Sequence, residues 1–202
     1  MTRRPTTPTG ADSWPRVTAR LRESAHLRKE LPTERQRTQP LALEFAGRVQ
    51  GRRVLDVGPP SSALVRQLKK LGAEVVATSD LLQPETPLRG PFDVITAAHY
   101  LDDCADPEAA VRIAGKLLHP RGRVVLVFAH PWHGERAGAA PHPALATLPA
   151  LLATLRVAGL RLVDAAEPEP IAAVAGQKKD ARHLILVAER TGRRTRNRGT
   201  SG

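Results

Sequence analysis

Four places in the chain put polar side chains directly after a short apolar run. Asp56 and Gly58 close "RRVLDV", Ser79 and Asp80 close "AEVVATS", His99 and Asp102 follow "FDVITAA", and His130 and His133 follow "GRVVLVFA". An acid two residues before a glycine suits ligand binding, because glycine lets the backbone come close to a bound group while the carboxylate receives its donors. The plainer alternative is a capped turn, but the order strand, Asp-x-Gly, helix favours a cofactor role. Asp80 has the alternative of ending an exposed loop. Asp102 and Asp103 precede a helix start, where negative charge is favoured in any case. Asp102 is still the best-placed carboxylate to orient a nucleophilic nitrogen and accept its proton. Ser61 and Ser62 read as helix caps. His130, His133 and His142 lack a carboxylate or thiolate at metal-ligand spacing, and Pro131 and Pro141 imply loops, so no metal centre is expected. His133 reads instead as lining a substrate mouth or packing beside Trp132. Cys104 reads as a small core residue, not a nucleophile.

These residues need elements that bring them together. The runs at 52–57, 73–79, 92–98, 122–129, 160–166 and 183–189 are short, β-branched and almost continuously apolar, as strands covered on both faces of a parallel sheet are. Helical patterns separate most of them. "SSALVRQLKKLG" starts on a serine and stops at Gly72. "DPEAAVRIAGKLLHPRG" has Asp106 as cap, Pro107 at the first position, an apolar face through Ala110, Ile113, Ala114 and Leu117, and a Pro-Arg-Gly stop. "ALATLPALLATLRVAG" supplies a third despite Pro149, and "VTARLRESAHLRKEL" and "PLALEFAGRV" supply leading helices. Crossover connections in such a sheet place ligands at the carboxyl ends of the strands, so Asp56, Asp80, His99 and His133 should share one edge.

The 202 residues suit one domain with short extensions. A basic tail at 1–13 leads into a domain at 14–189, with leading helices in 16–48 and an α/β core in 52–189, and an Arg-rich tail follows at 190–202. The net charge of +11 belongs to the ends: of 31 basic and 20 acidic side chains, residues 1–30 hold seven and three and residues 190–202 hold five and none, leaving nineteen against seventeen between them. Both tails are expected to be disordered, and only they offer a nucleic acid a contact. No run approaches the roughly 20 apolar residues of a membrane span, and the opening residues lack the apolar centre of a signal peptide. The single cysteine excludes an internal disulfide, so a cytoplasmic location is expected.

The strand-end residues resemble the class I, seven-strand S-adenosylmethionine-dependent methyltransferases. Asp56 and Gly58 match the first fixed positions of their acidic-x-Gly-x-Gly-x-Gly loop, and Asp80 matches the acid that takes the ribose hydroxyls; the likeness runs over roughly 40–189. It implies a Rossmann-like sheet, mostly parallel with an antiparallel closing strand. It also implies S-adenosyl-L-methionine as cofactor, with Asp56, Gly58, Ser79, Asp80 and His99 around it. The stretch from Phe92 to His133 is similar to the protein-histidine N-methyltransferases at Leu101, Asp102, Cys104, Pro107, Pro120, Arg121, Gly122, Arg123, Val124, Pro131, Trp132 and His133, with His99 where that branch has asparagine. This implies methylation of a protein or peptide nitrogen, with Asp102, His99 and His133 as the catalytic set.

Three departures accompany the likeness. Pro60 and Ser62 stand at the second and third glycine positions, which makes the loop degenerate, and Pro59 and Pro60 carry no backbone N–H. Only eleven residues, "LLQPETPLRGP", separate Asp80 from Phe92, so the sheet should be shortened there. The tyrosines of the closing strands are absent. Two other functions therefore stay open: a non-catalytic scaffold acting as a binding or regulatory subunit, and a nucleic-acid-associated protein using the Arg-rich tails. The oligomeric state is not legible.

Overall fold

The computed structural model describes residues 41–129, 142–167 and 183–191, and within them six strands form one sheet in the order β2-β1-β3-β4-β6-β5. The strands are β1 (Arg53–Val57), β2 (Glu74–Thr78), β3 (Phe92–Ala98), β4 (Leu118–Ala129), β5 (Leu160–Ala166) and β6 (His183–Arg190). β1 pairs in parallel with β2 and β3, and β3 with β4, whereas β6 runs antiparallel to β4 and β5. This is the mostly parallel Rossmann-like sheet with an antiparallel closing strand that the sequence implies. Residues 81–91 contain no strand, so β2 is the edge.

Alternate residues of each strand serve opposite faces. Leu55, Ile95, Val124, Leu126 and Leu186 join a core with α3 (Pro107–Leu117) and α4 (Leu148–Val157). Val54, Val94, Val125, Val127 and Ile185 join the other core, with the helical residues 41–46 (α1) and α2 (Ala63–Lys70). Covering both faces is what makes most central strand positions apolar and erases a polar–apolar alternation.

Helix ends follow local chemistry. Ser62 caps α2, and Gly72, at φ +81°, turns the chain out of it. The Asp106 side chain accepts from Ala109 N at 2.8 Å, with Pro107 at the first position of α3. The buried face of α3 runs through Ala110, Val111, Ala114 and Gly115, so it is rotated from the expected one, and Ile113 and Leu117 are only partly buried. Gly115 explains the rotation: a Cβ there would lie 2.3 Å from the Ala158 carbonyl oxygen, so α3 meets the end of α4 backbone to side-chain-free backbone. Pro149 lies in the first turn of α4 behind the Thr147 cap, where a missing N–H costs nothing.

β4 begins at Leu118, four residues before the expected 122. Leu118 already pairs with Phe92, and the Pro-Arg-Gly segment is absorbed as a register shift before Arg123 pairs with Val94. β6 extends to Arg190, whose guanidinium donates to the Leu118 carbonyl, and Thr191 N donates to Gly159 O at 2.9 Å. No helix among the described residues is long and apolar enough to cross a membrane.

Candidate functional site

The carboxyl ends of β1, β2 and β3 lie side by side at one edge of the sheet, because all three run in parallel. At the first of them Asp56 is 2% exposed. Its Oδ1 accepts from the Thr96 hydroxyl on β3 at 2.6 Å and its Oδ2 from the Ser62 hydroxyl at 3.4 Å. Burial pushes the Asp56 carboxyl up from its ordinary 3.8 to about 6, against the pull of those two hydrogen bonds. Ser62 Oγ also accepts from Val65 N at 3.0 Å, so one serine ties the carboxylate to the start of α2, and its role as a cap is borne out.

The loop between them is closed on itself. Gly58 N donates to Thr78 O at 2.8 Å and Ser62 N to Pro59 O at 2.8 Å. With Pro59 and Pro60 lacking N–H groups, Ser61 is the one position from 58 to 62 whose N–H makes no backbone hydrogen bond among the described residues.

At the end of β2, Asp80 is fixed by the chain's single tyrosine. Tyr100 Oη donates to Asp80 Oδ1 at 2.6 Å and accepts from Leu81 N at 3.1 Å, while Leu82 N donates to the same Asp80 oxygen at 2.7 Å. The Tyr100 bond, followed by the Leu82 N–H, holds the Asp80 carboxyl below its ordinary range, so Asp80 is an anion at neutral pH. Burial, then the Asp80 carboxylate, raises the Tyr100 hydroxyl above its usual range and keeps it a donor. Ser79 Oγ donates to Glu85 Oε1 at 3.0 Å.

At the end of β3 the backbone turns through His99 at φ 62°, a left-handed conformation uncommon for a non-glycine residue. His99 N donates to Val127 O of β4 at 2.6 Å, and its ring Nδ1 lies 2.8 Å from Asp102 Oδ2. The two side chains are 6% and 11% exposed. The ring of His183, at the start of β6, meets the His99 ring edge to face, with centroids 5.2 Å apart.

Between these three strand ends lies a cavity of about 500 Å³, lined by Gly58, Ser79, Asp80, His99, Tyr100 and Asp103 among others. A smaller hollow of about 220 Å³ over the start of α2, lined by Asp56, Ser61, Ser62 and Arg66, shares Val57, Gly58, Pro59 and Ala98 with it. Among the described residues, no lysine or arginine lines the larger space. Its carboxylates suit a ligand that presents hydroxyl donors and a cationic centre. A separate hollow of about 310 Å³ between α3 and α4 contains none of the strand-end groups.

Of the residues expected to form the site, Gly58, Ser79, Asp80 and His99 meet at one cavity. Asp56 sits beneath the loop, facing the smaller hollow. Asp102 stands behind His99 and does not line the cavity; its neighbour Asp103 does. His133 and His130 lie outside the described residues, as do the tail at 1–13, the chain beyond Thr191 and most of the leading-helix region; Arg190 and Thr191, expected to open the disordered tail, instead close β6 and bond to Leu118 and Gly159. His142 caps a 3-10 turn, with Nδ1 accepting from Ala144 N at 3.2 Å. Cys104 is partly buried at the margin of the core and lines the cavity. Tyr100 is visible in the sequence as the lone tyrosine after the third strand but carries no role there, and Thr96 and His183 are not singled out. The signals were a hydroxyl inside a buried apolar strand, a lone tyrosine directly after it, and a histidine opening the last strand.

The sequence profile of the family described as "Methyltransferase domain" matches residues 24–164. Curated protein sequences give no match. Solved structures share the fold. A 1,6-didemethyltoxoflavin-N1-methyltransferase of Burkholderia thailandensis, solved with its substrate and S-adenosylhomocysteine, is 18% identical with a TM-score of 0.59, covering 94% of this chain and 93% of its own. The N-methyltransferase NodS of Bradyrhizobium japonicum WM9, solved with S-adenosylhomocysteine, is 19% identical at a TM-score of 0.57, covering 86% and 97%. An S-adenosylmethionine-dependent methyltransferase of Mesorhizobium loti is 19% identical at a TM-score of 0.56, covering 76% and 97%.

Proposed function

We propose, from the premise that this chain belongs to the methyltransferase-domain family, that it transfers a methyl group to a nitrogen of a protein or peptide, with an imidazole as the specific acceptor. The cofactor is S-adenosylmethionine. The observation that carries the reading is the cavity of about 500 Å³ where Gly58, Asp80 and His99 converge. The side chains present fit the cofactor: Asp80 is an oriented anion able to take a hydroxyl pair, and the Asp80 and Asp103 carboxylates at the cavity favour a sulfonium over an anionic group.

When bound, S-adenosylmethionine supplies a methyl carbon made electrophilic by a positively charged sulfur. The protein's part is binding and orientation. Asp56 locks the loop to α2 through Ser62, Tyr100 fixes Asp80, and His99, held from behind by Asp102, provides a polar group on the acceptor's side. The matches at Leu101, Asp102, Cys104, Pro107 and Pro120 to Val124 support a protein-histidine acceptor. Calorimetric titration of the full chain with S-adenosylmethionine and S-adenosylhomocysteine tests the first half of the proposal, and Asp80→Ala should weaken both.

A second reading, a degenerate scaffold that binds a partner without catalysis, is favoured by the loop. From 58 to 62 it offers one N–H not already used by the backbone, and each missing hydrogen bond to a charged group removes about 1.5–3 kcal/mol, roughly one to two orders of magnitude in Kd. Pro60→Gly restores a donor without touching the Ser62 cap. If neither the wild type nor Pro60→Gly binds either ligand at millimolar concentration, the scaffold reading replaces catalysis.

A further inference from the structure

We propose that His99, held by Asp102, is the general base of this site, so that the methyl acceptor is a heteroatom still carrying its proton at neutral pH, an azole N–H or a phenolic O–H. This deepens the reading above and rests on it. Three independent features converge on His99. Its backbone is in the left-handed region, a strained state that persists where surrounding contacts fix it and that clusters at functional sites; here the 2.6 Å bond to Val127 O supplies the contact. Its Nδ1 lies 2.8 Å from Asp102 Oδ2, both side chains being nearly buried. His99 is also one of the residues lining the cavity of about 500 Å³.

A carboxylate facing Nδ1 fixes the tautomer: Nδ1 carries the hydrogen and donates it to Asp102, and Nε2 becomes the basic nitrogen. Asp102 is thus a positioning residue, and His99 is the group that meets the substrate. Among the described residues, the ring of His183 on β6 packs edge to face against it, and Asp80 and Asp103 stand around the cavity. In the transfer the acceptor's proton passes to His99 Nε2, the new heteroatom–carbon bond forms as the methyl–sulfur bond breaks, and sulfur keeps that electron pair. The resulting imidazolium is stabilised by Asp102 and returns its proton to solvent. An amine that is protonated at neutral pH would itself be a cation facing the sulfonium until it gave up its proton, whereas an azole or phenol approaches neutral and becomes an anion on proton transfer, so the amine is disfavoured.

The test uses the full chain saturated with S-adenosylhomocysteine. Nitrogen-15 NMR of the histidine rings should show His99 protonated at Nδ1 and bare at Nε2 at pH 8, and Asp102→Asn should mix the tautomers. With S-adenosylmethionine and three probes, N-acetylhistidine amide, N-acetyltyrosine amide and N-acetyllysine amide, transfer should favour the imidazole or the phenol over the amine. His99→Asn keeps a side chain that tolerates left-handed backbone and should lower kcat about 10²- to 10⁴-fold, a loss well beyond any accompanying fall in calorimetric affinity for S-adenosylhomocysteine. In Asp102→Asn the acidic limb of the pH–rate profile should move. Nε2–H as the resting tautomer, preference for the amine, or an unchanged rate in His99→Asn overturns the assignment. Absence of any S-adenosylhomocysteine binding overturns the underlying methyltransferase reading instead, and the tautomer still decides the pairing.

Discussion

Asp56 should make the protein's stability fall as pH rises from about 4 to about 6. Its carboxyl is pushed from 3.8 to about 6 by burial, so the folded state binds the proton more tightly than the unfolded chain does. That contribution is fully present below the unfolded value near 3.8 and is lost as pH rises through about 6. At 1.36 kcal/mol per pH unit the difference is worth about 3 kcal/mol at most, or about 6–12 °C in Tm for a chain of this size. Asp56→Asn removes the titration while keeping the shape. Its carbonyl can accept from Thr96, and its amide can donate to Ser62 Oγ, which has a second lone pair beside the one used by Val65 N. Thermal unfolding followed by circular dichroism from pH 4 to pH 8 should show the variant equal to wild type at the acid end and more stable by up to about 3 kcal/mol at the alkaline end. A variant that is less stable at pH 8 and keeps the wild-type slope would refute the reasoning, because some other group would then own the titration.

Tyr100→Phe removes the hydroxyl that bridges Asp80 and Leu81; affinity for S-adenosylhomocysteine in calorimetry should fall roughly 10- to 100-fold, with little change in the far-ultraviolet spectrum. Gly115→Ala gains about 1 kcal/mol of helix propensity but drives a methyl group into the Ala158 carbonyl. The clash should win, and Tm should fall. Deleting residues 1–13 and 192–202, and so sparing Arg190 and Thr191 with their bonds to Leu118 and Gly159, should leave Tm nearly unchanged and weaken binding to heparin, with a shallower salt dependence.

The strands were legible because burial on both faces writes itself into sequence as unbroken apolar runs; all six lie where those runs lie. What local chemistry decides was also legible, including the Ser62 and Asp106 caps. The rest depended on contacts between distant residues. The buried face of α3 was misjudged because periodicity cannot say which stripe meets the sheet, and Gly115 does so only once α4 is beside it. The four extra residues of β4 come from pairing with Phe92, which a Pro-Arg-Gly motif hides. Within the site the residue types at the strand ends were readable, yet their bonds were not. The Asp56–Thr96 pair spans forty residues, and the left-handed turn at His99 is held by a carbonyl of β4.

Both cofactor-edge carboxylates are governed from the same strand. Thr96, inside β3, holds Asp56 at the end of β1; Tyr100, just beyond β3, holds Asp80 at the end of β2. β3 lies directly beside β1, and β2 lies beyond β1 at the edge, so Thr96 needs only a short hydroxyl to reach one neighbour while a tyrosine's length is needed to reach past it. With no strand formed by 81–91, nothing among the described residues pairs with the outer side of β2. The wall carrying Asp80 therefore depends on the Tyr100 hydroxyl and the Leu82 N–H for its position, where a further strand would otherwise buttress it. His99 leaves β3 between these two anchors. The turn at 99–102 thus carries both the tyrosine that holds Asp80 and the His99–Asp102 pair, so four consecutive residues tie the two sides of the cavity together.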